Sequence, residues 1–330
     1  MATDNTFKIM SYNTLTQLMM TRARYPTNGS IINWKKRFPM LRDEIKTYRP
    51  DLLFLQEVDD FKIHDWNSLL YELQMNSKIC FYPGKSHGIL IAWSESLFEL
   101  QESQTIYYDE TNDIPIQDAH SSHVGLILAL RSRRSSETII SATTHLTWRP
   151  QCCYERLRQF LMLLRGVKQL QEKFKTRHTV IGGDFNSSVG RPCHRFAVDH
   201  YLTEETKQKL QRSINQTALV GSDALMRIEM AAKSISCDLR SCYLEILGQE
   251  PDFTNWTDNF RETLDYIFVS ESFHISAVLS LPSAKEMSPE PSSLPRMWGK
   301  TGYPSDHLAI MAIVYPKQAF ETAITSLSLA

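Results

Sequence analysis

The chain has 330 residues, of which 42% are apolar and 22% are charged. This is ordinary globular composition, and it excludes a disordered or fibrous protein. The 36 lysines and arginines and the 37 aspartates and glutamates give a formal net charge of −1, so the chain lacks the positive charge of a protein that coats long nucleic acids. This charge balance still allows a short single strand of nucleic acid or a nucleotide to bind at a metal-centred site.

Two further features of the sequence bear on the cellular compartment of the protein. No apolar run approaches the roughly 18 residues that a membrane-spanning helix needs, and the first residues resemble neither a signal peptide nor a transit peptide. The six cysteines include no Cys-x-x-Cys pair, which argues against a zinc site and favours reduced thiols. We therefore expect a cytoplasmic or nuclear protein that does not associate with membranes.

Apolar runs of strand length alternate with helical patterns along the first half of the chain. The first helix is expected to end before Pro50, because a proline disfavours helical geometry in the residue that precedes it. In chain order, we predict a strand at 7–13, a helix at 34–48, a strand at 51–56, a helix at 65–74, and strands at 88–93, 124–130 and 138–142.

The clearest helical pattern lies in the second half, where apolar side chains recur every three or four residues between 154 and 174. This stripe predicts an amphipathic helix that packs one face on the core. The remaining predictions are a strand at 179–183, a largely helical and polar stretch at 203–246, and strands at 264–269 and 307–314.

The organisation of the chain points to a single domain. The segment 282–304 carries five prolines and is interpreted as a surface loop. Neither an internal repeat nor a low-complexity tract is present, and no linker of disorder-like composition divides the chain. We therefore predict one mixed α/β domain over residues 1–330.

Polar residues follow or interrupt the apolar runs at regular places. Any one of them alone is more typical of a cap or a solvated loop residue, so the hypothesis depends on the whole ordered set. Carboxylate and amide oxygens without thiolates suit a hard cation, which favours magnesium or manganese over zinc. The set consists of Asn13, Glu57, His145, Asp184, Asn186, Asp265, Asp306 and His307.

Six short segments stand in a fixed order: SYNTL at 11–15, LQEV at 55–58, THL at 144–146, GDFN at 183–186, LDYIF at 264–268 and SDHL at 305–308. Together they resemble the endonuclease/exonuclease/phosphatase superfamily across nearly the whole chain. The resemblance implies a DNase I-like α/β fold, a four-layer sandwich of two packed mixed β-sheets flanked by helices.

Further segments narrow the resemblance to one branch of ribonucleases. HLTWRP at 145–150, LRSCY at 239–243 and FTNWT at 253–257 resemble the carbon-catabolite-repressor, nocturnin, Angel and Ngl exonucleases. Some members of the branch carry a leucine-rich-repeat region that recruits partner subunits. Asn13 comes too early to leave room for it, so we expect no such adaptor region, and the sequence names no protein partner.

The resemblance implies a magnesium site, with manganese as the alternative cofactor. Glu57 would be the main metal ligand, assisted by Asn13 and Asp306, and Asn13 would also face the substrate. Asp184 would orient or deprotonate the attacking water. Whether one or two ions act stays open.

The same resemblance implies how the phosphate is held. Asn186 would hydrogen-bond the scissile phosphate, and His145 would bind it from one side. His307 would face it from the other side, with Asp265 fixing the tautomer of its ring and favouring its charged form.

Base recognition and substrate preference are less fully determined by the sequence. Phe260 stands where deadenylases of the branch carry an aromatic that stacks on the terminal base, and Asn255 and Pro150 match positions that line the same pocket. An ordinary core or loop aromatic is the alternative interpretation of Phe260. Deadenylases of the branch carry Asp-Gly-Cys where this chain has His87-Gly88-Ile89. They often carry asparagine at the position of His123. This weakens the case for a poly(A) preference.

Three functions are considered. The leading hypothesis is a magnesium-dependent 3′-to-5′ exoribonuclease that takes the 3′ end of single-stranded RNA and releases 5′-mononucleotides. The alternative is a nucleotide phosphatase that acts on a dinucleotide 2′-phosphate or on a cyclic phosphate at an RNA end. The third is a non-catalytic RNA-binding protein, disfavoured because every predicted metal ligand is polar. The basic clusters at 35–37 and 131–134 are interpreted as solvent-exposed faces rather than an RNA track.

Overall fold

The computed structural model describes residues 5–25, 32–110, 113–118, 121–216, 220–235, 238–257, 259–287 and 303–317. These residues form fourteen strands and seven α-helices. The strands are β1 (Phe7–Asn13), β2 (Leu52–Asp59), β3 (Met75–Phe81), β4 (His87–Ser94), β5 (Phe98–Tyr107), β6 (Val124–Ser132), β7 (Thr138–His145), β8 (Thr179–Asp184), β9 (Leu239–Ser241), β10 (Asn255–Trp256), β11 (Arg261–Glu262), β12 (Asp265–Ser270), β13 (Phe273–Val278) and β14 (Ile310–Pro316). The helices are α1 (Trp34–Tyr48), α2 (Ile63–Glu72), α3 (Cys153–Phe174), α4 (Pro192–Asp199), α5 (Glu204–Asn215), α6 (Ala224–Ser234) and α7 (Cys242–Leu247).

Twelve of these strands form two six-stranded mixed sheets. The first sheet has the order β13-β14-β1-β2-β4-β3, and the second has the order β5-β6-β7-β8-β12-β9. Near the middle of each sheet two strands run parallel, β1 beside β2 and β7 beside β8, while their other neighbours pair antiparallel. Parallel neighbours end at the same edge of a sheet, so each sheet delivers two strand ends to one place.

Apolar side chains define four layers. One cluster fills the space between the sheets and includes Phe54, Leu126 and Ile267. A second cluster joins the first sheet to α1 and α2, and a third joins the second sheet to the helices α3 to α6. The sheets therefore lie face to face with helices on both outer surfaces, which confirms the predicted four-layer fold.

Local signals explain where the main helices begin and end. The Asn33 side chain accepts a hydrogen bond from the Lys35 N–H and caps α1, which ends at Arg49 in the left-handed conformation just before Pro50. Thr203 caps α5 by accepting from the Thr206 N–H. Among the described residues, no helix combines the length and the apolar character needed to cross a membrane.

The strands that the sequence did not predict lie mainly at the sheet edges. Strands β3, β5, β9 and β13 are the four outermost strands of the two sheets. An edge strand leaves much of its surface in water, so it lacks the apolar run that marks a buried strand. The stretch 203–246, predicted as largely helical, therefore also contains β9.

The predicted terminal strand at 307–314 begins later, at Ile310. Residues before it are held by the segment that precedes β12: the Trp256 N–H donates to the Asp306 carbonyl and the Leu308 N–H donates to the Thr254 carbonyl. This pairing bends His307 towards the cleft instead of continuing the strand. Of the predicted loop at 282–304, residues 288–302 lie outside the described residues.

Candidate active site

The predicted catalytic and metal-binding residues converge at one end of the interface between the two sheets. The first sheet contributes the ends of β1 and β2, the second contributes the ends of β7, β8 and β12, and the segment before β14 completes the cleft. Most of these side chains are buried, whereas Glu57 and Asn186 are partly exposed. The residues brought together are Asn13, Glu57, His145, Asp184, Asn186, Asp265, Asp306 and His307.

Asn13 joins the two sheets at this site. Its Nδ2 donates to Glu57 Oε1 at 3.2 Å and to Asp184 Oδ2 at 3.0 Å, and its Oδ1 accepts from the Leu15 N–H at 3.0 Å. The second carboxylate oxygen of Glu57 accepts from the Thr16 N–H at 2.8 Å. In this orientation the Asn13 amide holds the two carboxylates side by side. Its part as a metal ligand stays a prediction.

Glu57 carries a negative charge in this setting. Burial pushes the pKa of the carboxyl up, but the charge of His145 and the hydrogen bond from the Thr16 N–H push it down, and the net pKa lies below its ordinary value. A carboxyl with this balance is ionised at neutral pH. Glu57 therefore offers a charged oxygen ligand that is open to the cleft.

The GDFN segment places Asp184 by backbone geometry. A Cβ at Gly183 would lie 2.1 Å from the Thr144 carbonyl oxygen of the neighbouring strand, so only glycine allows this approach of β8 to β7. Asp184 then pairs in register with His145. Asn186 is left-handed, with φ of 46°, a conformation that asparagine tolerates, and its N–H donates to Asp184 Oδ1 at 2.8 Å.

His307 is charged by the carboxylates that surround it. Its Nδ1 lies 2.8 Å from Asp265 Oδ2, and its Nε2 lies 3.7 Å from Asp184 Oδ2. Burial lowers the pKa of this imidazole, but the charges of Asp265 and Asp184 outweigh burial and raise it well above the ordinary value. Thr254 Oγ1 donates to the same Asp265 oxygen at 2.6 Å and fixes it in place. His307 therefore presents a charged Nε2–H to the cleft.

The wall around His145 is made of rings. The Tyr82 hydroxyl lies 3.2 Å from His145 Nδ1, and burial raises the pKa of this phenol well above its ordinary value, so it remains a donor. Donation to Nδ1 places the proton of a neutral His145 ring on Nε2, 3.5 Å from Asp184 Oδ2. The rings of His87 and His123 pack on Tyr82 with centroids 5.1 Å and 5.3 Å away. Both have a buried Nδ1 with no hydrogen-bond partner.

Asp306 lies two residues after Pro304, whose carbonyl is held by a buried arginine. Its Oδ2 accepts from the Tyr25 hydroxyl at 3.2 Å. Burial raises the pKa of Asp306, and the nearby charge of Glu57 raises it further against the opposing charge of His307. Arg37 is fully buried and donates to the carbonyls of Thr14 and Pro304, so it ties this segment to the end of β1. The prediction that the cluster 35–37 is solvent-exposed is wrong for Arg37.

The residues predicted to bind the base lie around the rim. The Asn255 Nδ2 donates to the Asp306 carbonyl at 3.2 Å, and Asn255 forms a β-bridge with His307. Phe260 is 44% exposed at the turn between β10 and β11. Pro150 is exposed in the loop after β7. Among the described residues, no hydrogen bond or ring contact joins Phe260 or Pro150 to the phosphate-binding side chains, so their roles stay predictions.

The donor set fits a hard divalent cation. Glu57, Asp306 and Asn13 supply oxygen atoms, and no cysteine stands among them. Ligand atoms of Asp184, Asp265 and His307 also lie within 4.8 Å of one another. This second group is less suited to a metal, because the carboxylates favour the imidazolium form of His307 and an imidazolium has no lone pair to donate.

Two residues that shape the site carried no local signal of function in the sequence. Tyr82 and Tyr25 each act through a contact with a residue far away in the chain, and nothing in their neighbourhoods marks them. His123, whose ring packs on that of His145, was marked only as a departure from the deadenylase pattern. Thr254 is different, because it lies inside the FTNWT segment that resembles the ribonuclease branch. That segment would have identified it as a support for Asp265.

Curated relatives are RNA exonucleases. The chain is 34% identical to the probable RNA exonuclease NGL3 of Saccharomyces cerevisiae over 193 residues, which cover 56% of this chain and 38% of that protein. It is 29% identical to a probable RNA exonuclease of Schizosaccharomyces pombe over 93% of this chain and 75% of that protein. The chain thus spans little more than a third of the first relative and three quarters of the second.

Solved structures share the fold. The crystal structure of ANGEL2, a 2′,3′-cyclic phosphatase, superimposes with a TM-score of 0.77 at 24% identity, covering 94% of this chain and 95% of that one. The human Nocturnin catalytic domain gives 0.66 at 20% identity, covering 95% and 94%. The relatives named as RNA exonucleases confirm the predicted branch, and the solved structures confirm the predicted fold. Because the family match extends over residues 10–307 and therefore includes the whole cleft, the chain belongs to the endonuclease/exonuclease/phosphatase family.

Proposed function

We propose that the protein is a divalent-metal-dependent phosphodiester hydrolase, and specifically a 3′-to-5′ exoribonuclease that releases 5′-mononucleotides. The observation that carries the proposal is the junction of the two sheets, where Asn13 holds Glu57 and Asp184 together and His307 faces the same Asp184 oxygen. The relatives named RNA exonucleases support RNA as the substrate. We infer one catalytic domain over residues 1–330, acting in the cytoplasm or nucleus.

Glu57, Asp306 and Asn13 would hold the cation, with magnesium preferred and manganese as the alternative. The charge of Glu57 acts on the buried carboxylate of Asp306, and a bound cation would offset this repulsion. When bound, such an ion neutralises the phosphate and stabilises the charge that develops as the ester bond breaks.

Asp184 would orient the attacking water and accept its proton. Its Oδ2 faces His145 Nε2 and His307 Nε2 at 3.5 Å and 3.7 Å, and its Oδ1 is fixed by the Asn186 N–H. A carboxylate held from several sides keeps one orientation, which positions a water for attack.

His145 and His307 would bind the phosphate from opposite sides. The charged Nε2–H of His307 matches an anionic oxygen, and Asp265 with Thr254 keeps the ring in place. Asn186 Nδ2 donates to the Leu146 carbonyl at 2.9 Å, so a bond to the phosphate would require this amide to turn.

The terminal base would lie at the rim, between the exposed ring of Phe260 and the Pro150 loop. Asn255 lies next to this rim and is anchored to the Asp306 carbonyl. Stacking on an aromatic is worth about 1–3 kcal/mol per base and tolerates different bases, which suits the single-stranded 3′ end of an RNA.

Product analysis tests the proposal. Single-stranded RNA with a 5′ tag is incubated with magnesium, and we expect a ladder that shortens from the 3′ end with release of 5′-mononucleotides. Asp184→Asn should lower the rate by about 10²–10⁴-fold, the usual contribution of a general base, and Glu57→Gln should be comparably impaired. Glu99→Gln, at an exposed position of β5, is the matched control. Intact RNA at every magnesium concentration would refute the activity.

A second candidate function is a phosphatase on a cyclic phosphate at an RNA end or on a dinucleotide 2′-phosphate. The observation that favours it is the pair of histidines near His145, namely His87 and His123. Burial lowers the pKa of His87 and, more strongly, that of His123, and each leaves an unpartnered Nδ1 near His145. Two additional ring nitrogens could contact a small phosphate group, and ANGEL2, which shares the fold, is a 2′,3′-cyclic phosphatase.

The two candidates differ in their products. RNA ending in a 2′,3′-cyclic phosphate and a panel of dinucleotide 2′-phosphates are incubated under the same conditions. Opening of the cyclic phosphate or release of inorganic phosphate without shortening of the RNA would identify the second function. Shortening of the RNA without either reaction would eliminate it.

A further inference from the structure

Trp148 is an exposed aromatic next to the cleft. It is 66% exposed, whereas Trp34, Trp66, Trp93 and Trp256 are at most 9% exposed. It lies in the loop between β7 and α3, three residues after His145, so its Cα lies within about 11 Å of that of His145. Scattered exposed apolar side chains are common, so the position alone decides nothing.

Hydrogen bonds from a buried arginine fix the backbone on both sides of Trp148. Arg156, at the start of α3, is 4% exposed. Its Nη1 donates to the Thr147 carbonyl at 3.0 Å and to the Arg149 carbonyl at 2.7 Å, and its Nη2 donates to the Pro150 carbonyl at 3.0 Å. A buried guanidinium therefore holds the carbonyl of the residue before Trp148 and the carbonyls of the two residues after it. Because the backbone that carries the exposed indole is already fixed, little backbone conformational entropy is lost when a ligand binds there.

Positive charge flanks the ring. Arg149 is the next residue, its side chain is 49% exposed, and its Nε lies 3.5 Å from Asp118 Oδ2. Lys85 donates from Nζ to the Ser121 carbonyl at 2.9 Å, so the two basic groups contact residues only three positions apart in the chain, Asp118 and Ser121. An aromatic ring on a fixed backbone with basic side chains nearby is the combination that binds single-stranded nucleic acid, because the ring stacks on a base and the cations face phosphates.

We propose that Trp148 is a stacking platform for a base of the RNA beyond the terminal nucleotide. The inference rests on the proposed function, because it assumes that a polynucleotide enters this cleft. Phe260 and Pro150 would take the terminal base, and Trp148 would take a base of a neighbouring nucleotide. The protein would then favour oligomers over substrates without a second base.

Tryptophan fluorescence tests this placement directly. In the Asp184→Asn background, a pentanucleotide RNA is titrated against the protein and compared with a 5′-mononucleotide. We expect the pentanucleotide to quench the emission and the mononucleotide to leave it nearly unchanged. Adding Trp148→Phe should abolish most of the quenching. Since Trp148→Phe leaves every other tryptophan in place, Trp298 included, the difference between the two proteins reports on position 148 alone.

Affinity and turnover give a second readout. Trp148→Ala should weaken pentanucleotide binding about 5–150-fold, the range that corresponds to one stacked base, whereas Trp148→Phe should keep much of the affinity. With the active protein, the ratio of kcat/KM for the pentanucleotide to that for methyl p-nitrophenyl phosphate, which has no base, should fall by the same factor. Thermal unfolding of each variant monitors the fold.

The outcomes separate the two proposals. If the protein cleaves RNA but Trp148→Ala leaves the ratio and the affinity unchanged, the platform is wrong and the proposed function stands. If the pentanucleotide quenches Trp148 and is never cleaved, the platform is supported and the exoribonuclease activity is overturned. If no oligonucleotide binds, both fail.

Discussion

Glu57 owes its position to one extra residue in its strand. In the pairing of β2 with β4, Gln56 lies opposite Ile89 and Val58 lies opposite Gly88, so Glu57 has no partner. Its φ of 60° is left-handed, which costs a residue with a side chain about 1–2 kcal/mol. The sequence predicts Glu57 at the end of a strand but not this β-bulge, because a bulge depends on the register of a partner strand distant in the chain.

His123 makes the fold sensitive to acid. Its ring packs on the rings of Tyr82 and His145, and the charges of Lys85 and His87 also act on it. Burial lowers its pKa well below the ordinary value, and the charges of His145 and Lys85 lower it further. The unfolded chain therefore binds a proton near pH 6.5 that the folded chain does not bind, and stability falls as the pH drops below that value.

Replacing this ring should flatten the pH dependence of stability. We expect the free energy of unfolding of His123→Asn to fall less steeply than that of the unsubstituted protein between pH 7 and pH 5, by at most about 1.4 kcal/mol per pH unit, the limit for one proton. Urea unfolding at several pH values measures both slopes. His307 and the carboxylates titrate in both proteins, so their contributions cancel. Equal slopes would contradict the assignment.

At the scale of elements, the sequence pattern of α3 predicts where the helix lies but not which of its charged side chains are buried. Its apolar stripe predicts the helix to within one residue at its start. The same pattern does not reveal that Glu155, Arg156 and Arg158 in its first two turns are buried. Charged side chains are usually interpreted as solvated, and only the loops that fold over this helix bury them.

Arg158 is expected to be one of the strongest supports of this helix. Its guanidinium contacts Glu155 Oε1 at 2.9 Å and donates to three loop carbonyls, and both side chains are fully buried. Arg158→Met should lower the free energy of unfolding by about 3–5 kcal/mol, because it leaves the Glu155 charge buried and unpaired. Arg165→Met on the same helix is the control and should cost less than about 1 kcal/mol, since its pair with Asp113 is exposed.

Urea unfolding of these variants distinguishes pairing from general packing. The double variant Arg158→Met/Glu155→Met should regain part of the loss, because it removes both charges together. The pair would have no special role if Arg158→Met and Arg165→Met lowered the free energy of unfolding by similar amounts. The same would follow if the loss in the double variant equalled the sum of the losses in Arg158→Met and Glu155→Met.

At the scale of the whole molecule, the site is a property of the contact between the two sheets. Asn13 and Glu57 come from one sheet, Asp184 and His145 from the other, and the Asn13–Asp184 hydrogen bond joins residues 171 positions apart. The sequence indicates which strand ends carry polar residues, but it contains no local signal for which sheet each strand joins. Only the resemblance to a known family predicted this arrangement, because the pairing of distant strands depends on the complete fold.

The spacing of the sheets should therefore control activity as well as stability. Gly182 in β8 faces Phe54 in β2, and a Cβ there would lie 2.4 Å from Phe54 Cδ2. We expect Gly182→Ala to cost about 1–3 kcal/mol of stability, as overpacking of a core does, and to lower kcat/KM for RNA by displacing Asp184 relative to Glu57.

A second substitution tests whether the loss comes from this contact. Gly182→Ala/Phe54→Leu gives the new methyl group room, so stability and activity should recover relative to the sum of the single changes. Gly221→Ala, at an exposed glycine away from the interface, is the control and should change stability by less than about 0.5 kcal/mol. Urea unfolding and RNA hydrolysis are measured on all four variants. If the effects of Gly182→Ala and Phe54→Leu simply add in the double variant, the methyl group does not act through Phe54. If Gly182→Ala loses stability but keeps full activity, the catalytic geometry does not depend on the distance between the sheets.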